Sequence, residues 1–350
     1  MKIAMLLSGG VDSSTALALL REAGRETHAF YLKIWLEDEL AERSVCPWEE
    51  DVKYAREVCK KFDVPLEIVP LQKEYNERIV AYAVAEARAG RTPNPDMLCN
   101  SMIKFGAFYD WIGEEYGAIA TGHYAEAEIR DGIARLKRSK DRMKDQSYFL
   151  SQLSQEQLGR AIFPIGHLKK SEVRELAGKM GLPNAGRRDS QGLCFLGKIK
   201  FNEFLKRHLG EKKGELVEKE SGKILGEHNG FWFFTIGQRE GIRLSGGPWY
   251  VAGKDARENI VHISREKSNE GTAKKNFIVR DAHWIAEAPE KHESLAVKIR
   301  HGECETPCTI ATQENDVLEV ALAHQEAGIA PGQFAVFYDG EYCLGGGVIA

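Results

Sequence analysis

The chain has 350 residues, 43% of them hydrophobic and 29% charged, with a formal net charge of −4. That length implies two or three domains. The charge excludes a protein that coats nucleic acid over its whole surface, but not one with a locally basic face. Seven cysteines, an odd number at wide spacings, argue against a disulfide framework and read as reduced thiols of a cytoplasmic enzyme. The opening apolar run is cut by Ser8-Gly9-Gly10, too early for a signal peptide. No later run could span a bilayer, so no membrane association is expected.

In chain order, residues 2–7 read as a buried strand, 13–23 as a helix closed by Gly24, 27–34 as a strand and 49–62 as a helix. A strand is expected at 65–69, helices at 73–89 and 102–116, a strand at 118–122 and a helix at 171–180. Strands alternating with helices of this length make βαβ units, and so a parallel sheet covered on both faces. Residues 183–197 show little periodicity and read as a long loop, which at that length is more often functional than idle. From residue 201 the texture changes, with one helix over 201–209 followed by Gly- and aromatic-rich pieces at 230–237, 246–251 and 259–264. Short strands at 277–279, 295–300, 308–312, 317–322, 334–339 and 342–349 have the spacing of a small β-barrel or sandwich. The expected organisation is an α/β catalytic domain over 1–200, a small linking domain over 201–268 and a β-barrel over 269–350. There is no internal repeat, and no stretch reads as a dimer seam, so a monomer is expected.

Ser8-Gly9-Gly10-Val11-Asp12-Ser13 lies where the first strand ends and a helix begins. Glycines there let backbone amides close around an anion, and the helix N-terminus adds partial positive charge. Ser8 and Ser13 can donate hydroxyls, while Asp12 can orient the loop or help hold Mg²⁺. The spacing fits neither a Walker A loop, since no Gly-Lys-Ser/Thr follows, nor a dinucleotide fingerprint. A loop without lysine suits grasping the pyrophosphate that leaves when ATP is split into AMP and pyrophosphate.

Thr92-Pro93-Asn94-Pro95-Asp96-Met97-Leu98-Cys99-Asn100 reads as a proline-stiffened loop that delivers Asp96 and Cys99 to the start of the 102–116 helix. A thiol there would have its thiolate favoured, with Lys104 near enough to assist, and Asp96 could serve as base or anchor. Cys194 lies between Gly192 and Gly197 in the long loop, accessible as a sulfur acceptor must be. Cys304 and Cys308 lack a second ligand pair, and they are read as structural, as are Cys46, Cys59 and Cys343.

The loop at 8–13 is similar to the signature of the PP-loop ATP pyrophosphatase superfamily, whose members adenylate a carbonyl or amide oxygen. Further motifs sharpen the likeness: Asn94-Pro95-Asp96-x-x-Cys99-Asn100, Thr121-Gly122-His123-Tyr124, Lys144-Asp145-Gln146-Ser147, Ser190-Gln191-Gly192-Leu193-Cys194-Phe195 and Thr235-Ile236-Gly237-Gln238-Arg239. With these the chain resembles the tRNA-specific 2-thiouridylase family over essentially its whole length. The resemblance implies an α/β parallel-sheet fold of the adenine-nucleotide alpha-hydrolase type (the PP-loop catalytic domain), then a small linking domain and a C-terminal β-barrel.

Carried over, Leu6, Leu7, Ser8, Gly9, Gly10, Val11, Asp12, Ser13, Leu32 and Gly122 would bind ATP, with Mg²⁺ accompanying it. Asn94, Pro95 and Asp96 would meet the target base, and His123, Lys144, Asp145, Gln146, Arg300, His301 and Gln333 would contact tRNA. Cys99 would be the nucleophile and Cys194 the persulfide carrier, an iron–sulfur cluster being the less favoured alternative. The implied reaction adenylates C2 of the wobble uridine (position 34) of the tRNAs for Lys, Glu and Gln and then inserts sulfur. The sulfur would come from a donor such as a cysteine desulfurase or a relay protein. It would reach C2 by direct attack, or after release by Cys99 as hydrosulfide.

The basic run Arg135, Lys137, Arg138, Lys140, Arg142 and Lys144, beside one of these motifs, is expected to meet phosphates. Two rival readings are a small-molecule PP-loop ligase, which would have no use for the two thiols, and a non-enzymatic tRNA-binding adaptor. A 4-thiouridine synthetase would be expected to carry RNA-binding segments ahead of the loop.

Overall fold

The structure, a computed structural model, describes residues 1–34, 47–188, 201–266, 273–290, 294–314 and 316–350. In chain order the first strands are Ile3–Leu6 (β1), Thr27–Lys33 (β2), Leu66–Pro70 (β3), Ala118–Ala120 (β4), Ala125–Arg130 (β5), Ile133–Arg138 (β6) and Ala161–Ile162 (β7). Five of them form a parallel sheet in the order β3-β2-β1-β4-β7. β1 and β4 are buried at every position, as parallel strands covered on both faces must be. The chain builds outward from β1 through β2 to β3 and then returns to the other side of β1 with β4. That reversal opens a crevice beyond the carboxyl ends of β1 and β4, the usual place for a ligand in such sheets. Helices Val11–Glu22 and Lys170–Lys179 pack together near it through Val11, Ala18 and Ala177.

β5 and β6 form an antiparallel hairpin that leaves this sheet. The middle segment contributes Gly214–Glu218 (β8), Ile224–His228 (β9), Tyr250–Asp255 (β10) and Ile260–Ser264 (β11), in the order β10-β11-β8-β9. Its aromatics Phe231, Phe234 and Trp249 are core residues. The last segment, Lys274–Trp284 (β12), Leu295–Lys298 (β13), Thr306–Glu314 (β14), Val317–Glu326 (β15), Phe334–Asp339 (β16) and Tyr342–Ile349 (β17), closes on itself as a six-stranded barrel through β12 and β17. β6 adds to it, with Leu136 opposite Cys343 and Lys137 opposite Tyr342. First and last segments therefore share one sheet. They also share a core in which Tyr148 and Leu150 lie with Phe334, Val336 and Tyr338.

One expectation is overturned. The helix expected from residue 102 begins at Pro95 and runs through Pro95–Cys99, a wider-turned Asn100–Ala107 and Phe108–Ile112. Asn94 precedes the helix and Pro95 takes its first position, where a missing N–H costs nothing.

Candidate active site

β1 ends at Leu6, and Ser8-Gly9-Gly10 turns the chain into helix Val11–Glu22 with Gly10 extended at its N-cap. Gly9 has φ +76°, and a Cβ there would lie 2.3 Å from the Asp51 carbonyl oxygen, so only glycine fits. Ser13 Oγ accepts from the Ser8 N–H at 3.2 Å, donates to the Gly10 carbonyl at 3.1 Å and lies 3.1 Å from Ser8 Oγ. The loop thus closes on itself at the N-terminus of a twelve-residue helix, a geometry that favours anions. Leu6, Leu7, Val11 and Ser13 are buried, while Ser8 is exposed and Gly10 and Asp12 are half-buried. Leu32, half-buried, sits near the end of β2 beside β1.

The sequence assigns no role at this loop to Lys170, Tyr124, Asn184 or Arg187, all of which meet it. Lys170 Nζ lies 2.7 and 2.9 Å from the two Asp12 oxygens, and Tyr124 OH donates to the same carboxylate at 2.8 Å. Asn184 Nδ2 donates to the Gly9 carbonyl and to Ser14 Oγ, both at 2.8 Å. Arg187 donates to the Gly9 carbonyl at 3.0 Å and to Asp51 at 2.5 Å. No local pattern links Lys170 to Asp12, which stand 158 positions apart.

Four consecutive residues after β4 join this loop to the cysteine helix. A Cβ on Gly122 would lie 2.6 Å from the Ser13 nitrogen, so glycine lets β4 approach the loop. Thr121 Oγ1 is 2.8 Å from His123 Nδ1, and His123 Nε2 is 3.4 Å from Lys104 Nζ. Burial, with Lys104 adding to it, holds the His123 pKa well below the usual value, so the ring is neutral. Lys104 donates to Asn100 Oδ1 at 2.9 Å, and Tyr124 binds Asp12. One path of contacts thus runs from Ser13 through Gly122, His123 and Lys104 to the neighbour of Cys99.

Cys99 contradicts the expectation of a thiolate at a helix N-terminus. It ends the helix's first five residues rather than leading them, and it is 1% exposed. Burial pushes its thiol up to about 11; nearby Lys104 lowers it and Asp96 raises it further, but desolvation dominates. With the thiolate fraction at pH 8 near ~10⁻³, alkylation of Cys99 by iodoacetamide should run at least ~100-fold slower than that of a cysteine peptide. The rate should climb with pH through 10. Peptide mass spectrometry showing fast labelling at pH 7 would contradict this placement.

Around Cys99, Pro95 is buried and Asn94 and Asp96 are half-buried. Asn100 Nδ2 donates to the carbonyls of Asp96 at 3.2 Å and Phe149 at 2.9 Å. The barrel braces the preceding turn, since Gln333 Nε2 donates to the Thr92 carbonyl at 2.9 Å and the Pro93 carbonyl at 3.3 Å. Cys194 and its motif, and Cys46, lie outside the described residues. Cys59, Cys308 and Cys343 are buried as expected of structural thiols, whereas Cys304 is exposed.

The residues expected on tRNA divide by exposure. Lys144, Arg300 and His301 are exposed; His301 stacks on Phe149 with centroids 4.7 Å apart and donates to the Asp145 carbonyl at 3.1 Å. Asp145 is only 2% exposed, and its carboxylate accepts from Ser139 N, Ser147 N and Ser147 Oγ, so it shapes the 139–147 segment from within. Gln146 accepts from the Tyr124 N–H at 2.9 Å. In the basic run, Arg138 is buried, with its guanidinium 3.8 Å from the Tyr338 ring centroid and 2.6 Å from Glu305. It is a strut between hairpin and barrel rather than a phosphate contact. Lys140 pairs with Glu172 and Arg142 with Glu341, which leaves less open positive charge than the sequence suggests.

The model described as tRNA methyl transferase HUP domain matches residues 1–198, and those described as tRNA methyl transferase PRC-barrel domain and aminomethyltransferase beta-barrel domain match 202–265 and 274–349. The chain is 45% identical to tRNA-specific 2-thiouridylase MnmA 1 of Bacteroides thetaiotaomicron, over 100% of this chain and 99% of that one. The chain belongs to the tRNA-specific 2-thiouridylase family. The 2-thiouridylase of Parabacteroides distasonis is likewise 45% identical and that of Porphyromonas gingivalis 44%, each over 100% of this chain and 99% of theirs. A 4-thiouridine synthetase–RNA complex with bound ATP has a TM-score of 0.33 at 20% identity, covering 59% of this chain and 50% of that one. That likeness is too distant to bear on the reading. Among the described residues no helix is long and apolar enough to cross a membrane.

Proposed function

We propose that the chain is a tRNA 2-thiouridylase that adenylates C2 of the wobble uridine, position 34, in the tRNAs for Lys, Glu and Gln and replaces the C2 oxygen with sulfur. The observation that carries this is the path of contacts from the anion loop through Gly122, His123 and Lys104 to the Cys99 helix. An activating loop joined to a thiol by such a path of contacts suits a reaction whose activated carbonyl must meet sulfur before water does.

The C2 oxygen attacks the α-phosphorus of ATP, the α–β anhydride breaks, and pyrophosphate leaves into the loop at 8–13. The terminal sulfur of a Cys194 persulfide then attacks C2, and AMP departs with the former oxygen. Deprotonated Cys99 attacks Cys194 Sγ, the S–S bond breaks, and sulfur stays on C2. The resulting Cys99–Cys194 disulfide is reset by a two-electron thiol reductant. Asp96, whose carboxylate acts on Cys99, takes the thiol proton. Asp12 would be the carboxylate that holds Mg²⁺ together with substrate oxygens, and the ion would supply charge neutralisation. Lys144, Arg300 and His301 face the tRNA, and a cysteine desulfurase or relay protein charges Cys194.

AMP release that requires the cognate tRNA tests this reading. Gly9→Ala should abolish most of it, because the strained φ and the overlap with Asp51 cost about 1–3 kcal/mol at the loop, or roughly 10–100-fold in ATP binding. ATP turnover indifferent to tRNA would count against the assignment.

A further inference from the structure

We propose that Lys170 is the phosphate-binding lysine of this loop, contacting the pyrophosphate part of ATP; the inference rests on the adenylating reading above. The segment 8–13 contains no lysine of its own, and Asp12 stands in the first turn of the helix that faces the anion. An uncompensated carboxylate there would repel a triphosphate and offset the attraction of the backbone amides. Lys170 removes that obstacle from a distant part of the chain.

The arrangement is more than a surface ion pair. Lys170 Nζ engages both Asp12 oxygens, and the two side chains are 14% and 30% exposed, whereas open surface pairs contribute little. The lysine backbone is fixed as well: its N–H donates to Asp141 Oδ2 at 2.8 Å, and its helix packs on the loop's helix through Ala177, Val11 and Ala18. Tyr124 OH holds the same carboxylate from another element. An ammonium carries three donors on a flexible stem. A small swing of Nζ therefore takes it to a phosphate oxygen at the loop mouth while Asp12 stays within reach. The site then offers amides, hydroxyls and an ammonium to the anion, which is what a lysine inside the loop achieves in other phosphate cradles.

Lys170→Met and Lys170→Arg, with calorimetric binding of MgATP, magnesium pyrophosphate and AMP in the absence of tRNA, test the idea. Lys170→Met should weaken ATP and pyrophosphate about 10–100-fold and AMP less than about 3-fold, with Lys170→Arg recovering much of the loss. AMP binding by the same variant shows that it is folded. The loss should persist when Lys170→Met is placed in an Asp12→Asn background. Equal weakening of AMP and ATP, unchanged ATP binding, or no further loss in that background would each overturn the role. A wild-type chain that binds neither ATP nor pyrophosphate would instead remove the adenylating reading itself.

Discussion

Cys99→Ser is expected to lower 2-thiouridine formation by at least ~10³-fold while tRNA and ATP binding stay within a few-fold of wild type. A hydroxyl cannot cleave the S–S bond left after the persulfide has attacked C2, so the tRNA would remain joined to Cys194 through C2–S–S. The substitution is nearly isosteric at a position 1% exposed, so its structural cost should be about 1 kcal/mol. Cys194→Ser should give the same loss from the other side, because no sulfur would be loaded. The two variants should differ on non-reducing gels: Cys99→Ser should accumulate a tRNA adduct on Cys194 that a thiol reductant releases, and Cys194→Ser should not. Normal thiolated nucleoside from either variant would remove the two-thiol scheme.

The second large effect lies at the junction between hairpin and barrel. Lys298 Nζ is 3.6 Å from Asp145 Oδ2, with side chains 4% and 1% exposed. Burial lowers the Lys298 pKa, and Asp145 partly restores it. Lys298→Met leaves the Asp145 carboxylate uncompensated in the interior, which costs about 3–5 kcal/mol. Thermal melting should fall by several degrees. Binding of tRNA should weaken as well, since Asp145 sets the 139–147 segment that displays Lys144. Adding Asp145→Asn to Lys298→Met should recover part of the melting temperature, as expected when one charge is removed with its partner. A melting curve unchanged by Lys298→Met would mean that the pair contributes nothing to the junction.

What the sequence made legible follows from how local each signal is. The parallel sheet and its loop were readable because strand, glycines and helix are contiguous, and a positive φ at Gly9 is a local demand. The helix start at Pro95 was readable too: asparagine followed by proline is a helix-entry pattern. Treating both prolines as loop stiffeners hid it and put Cys99 ahead of the helix, whereas it lies inside it as the fifth residue. Burial then decided the thiol's pKa, and burial is a property of the packed core rather than of neighbours in sequence. The Asp12–Lys170 pair, the Arg138 strut and the pairing of Lys137 with Tyr342 across β6 and β17 join positions more than 150 residues apart. Single-chain patterns carry no register for such contacts. A basic run likewise announces charge, yet strand alternation buried Arg138 and glutamates paired Lys140 and Arg142.

The most direct test incubates the purified chain with ATP, Mg²⁺, a persulfide-charging system and unmodified tRNA for lysine, then digests the tRNA for nucleoside mass spectrometry. 2-Thiouridine should be confined to position 34, with AMP and pyrophosphate formed one for one with the sulfur inserted. A thiolated nucleoside at another position, or AMP released with no 2-thiouridine made, would contradict the proposed function.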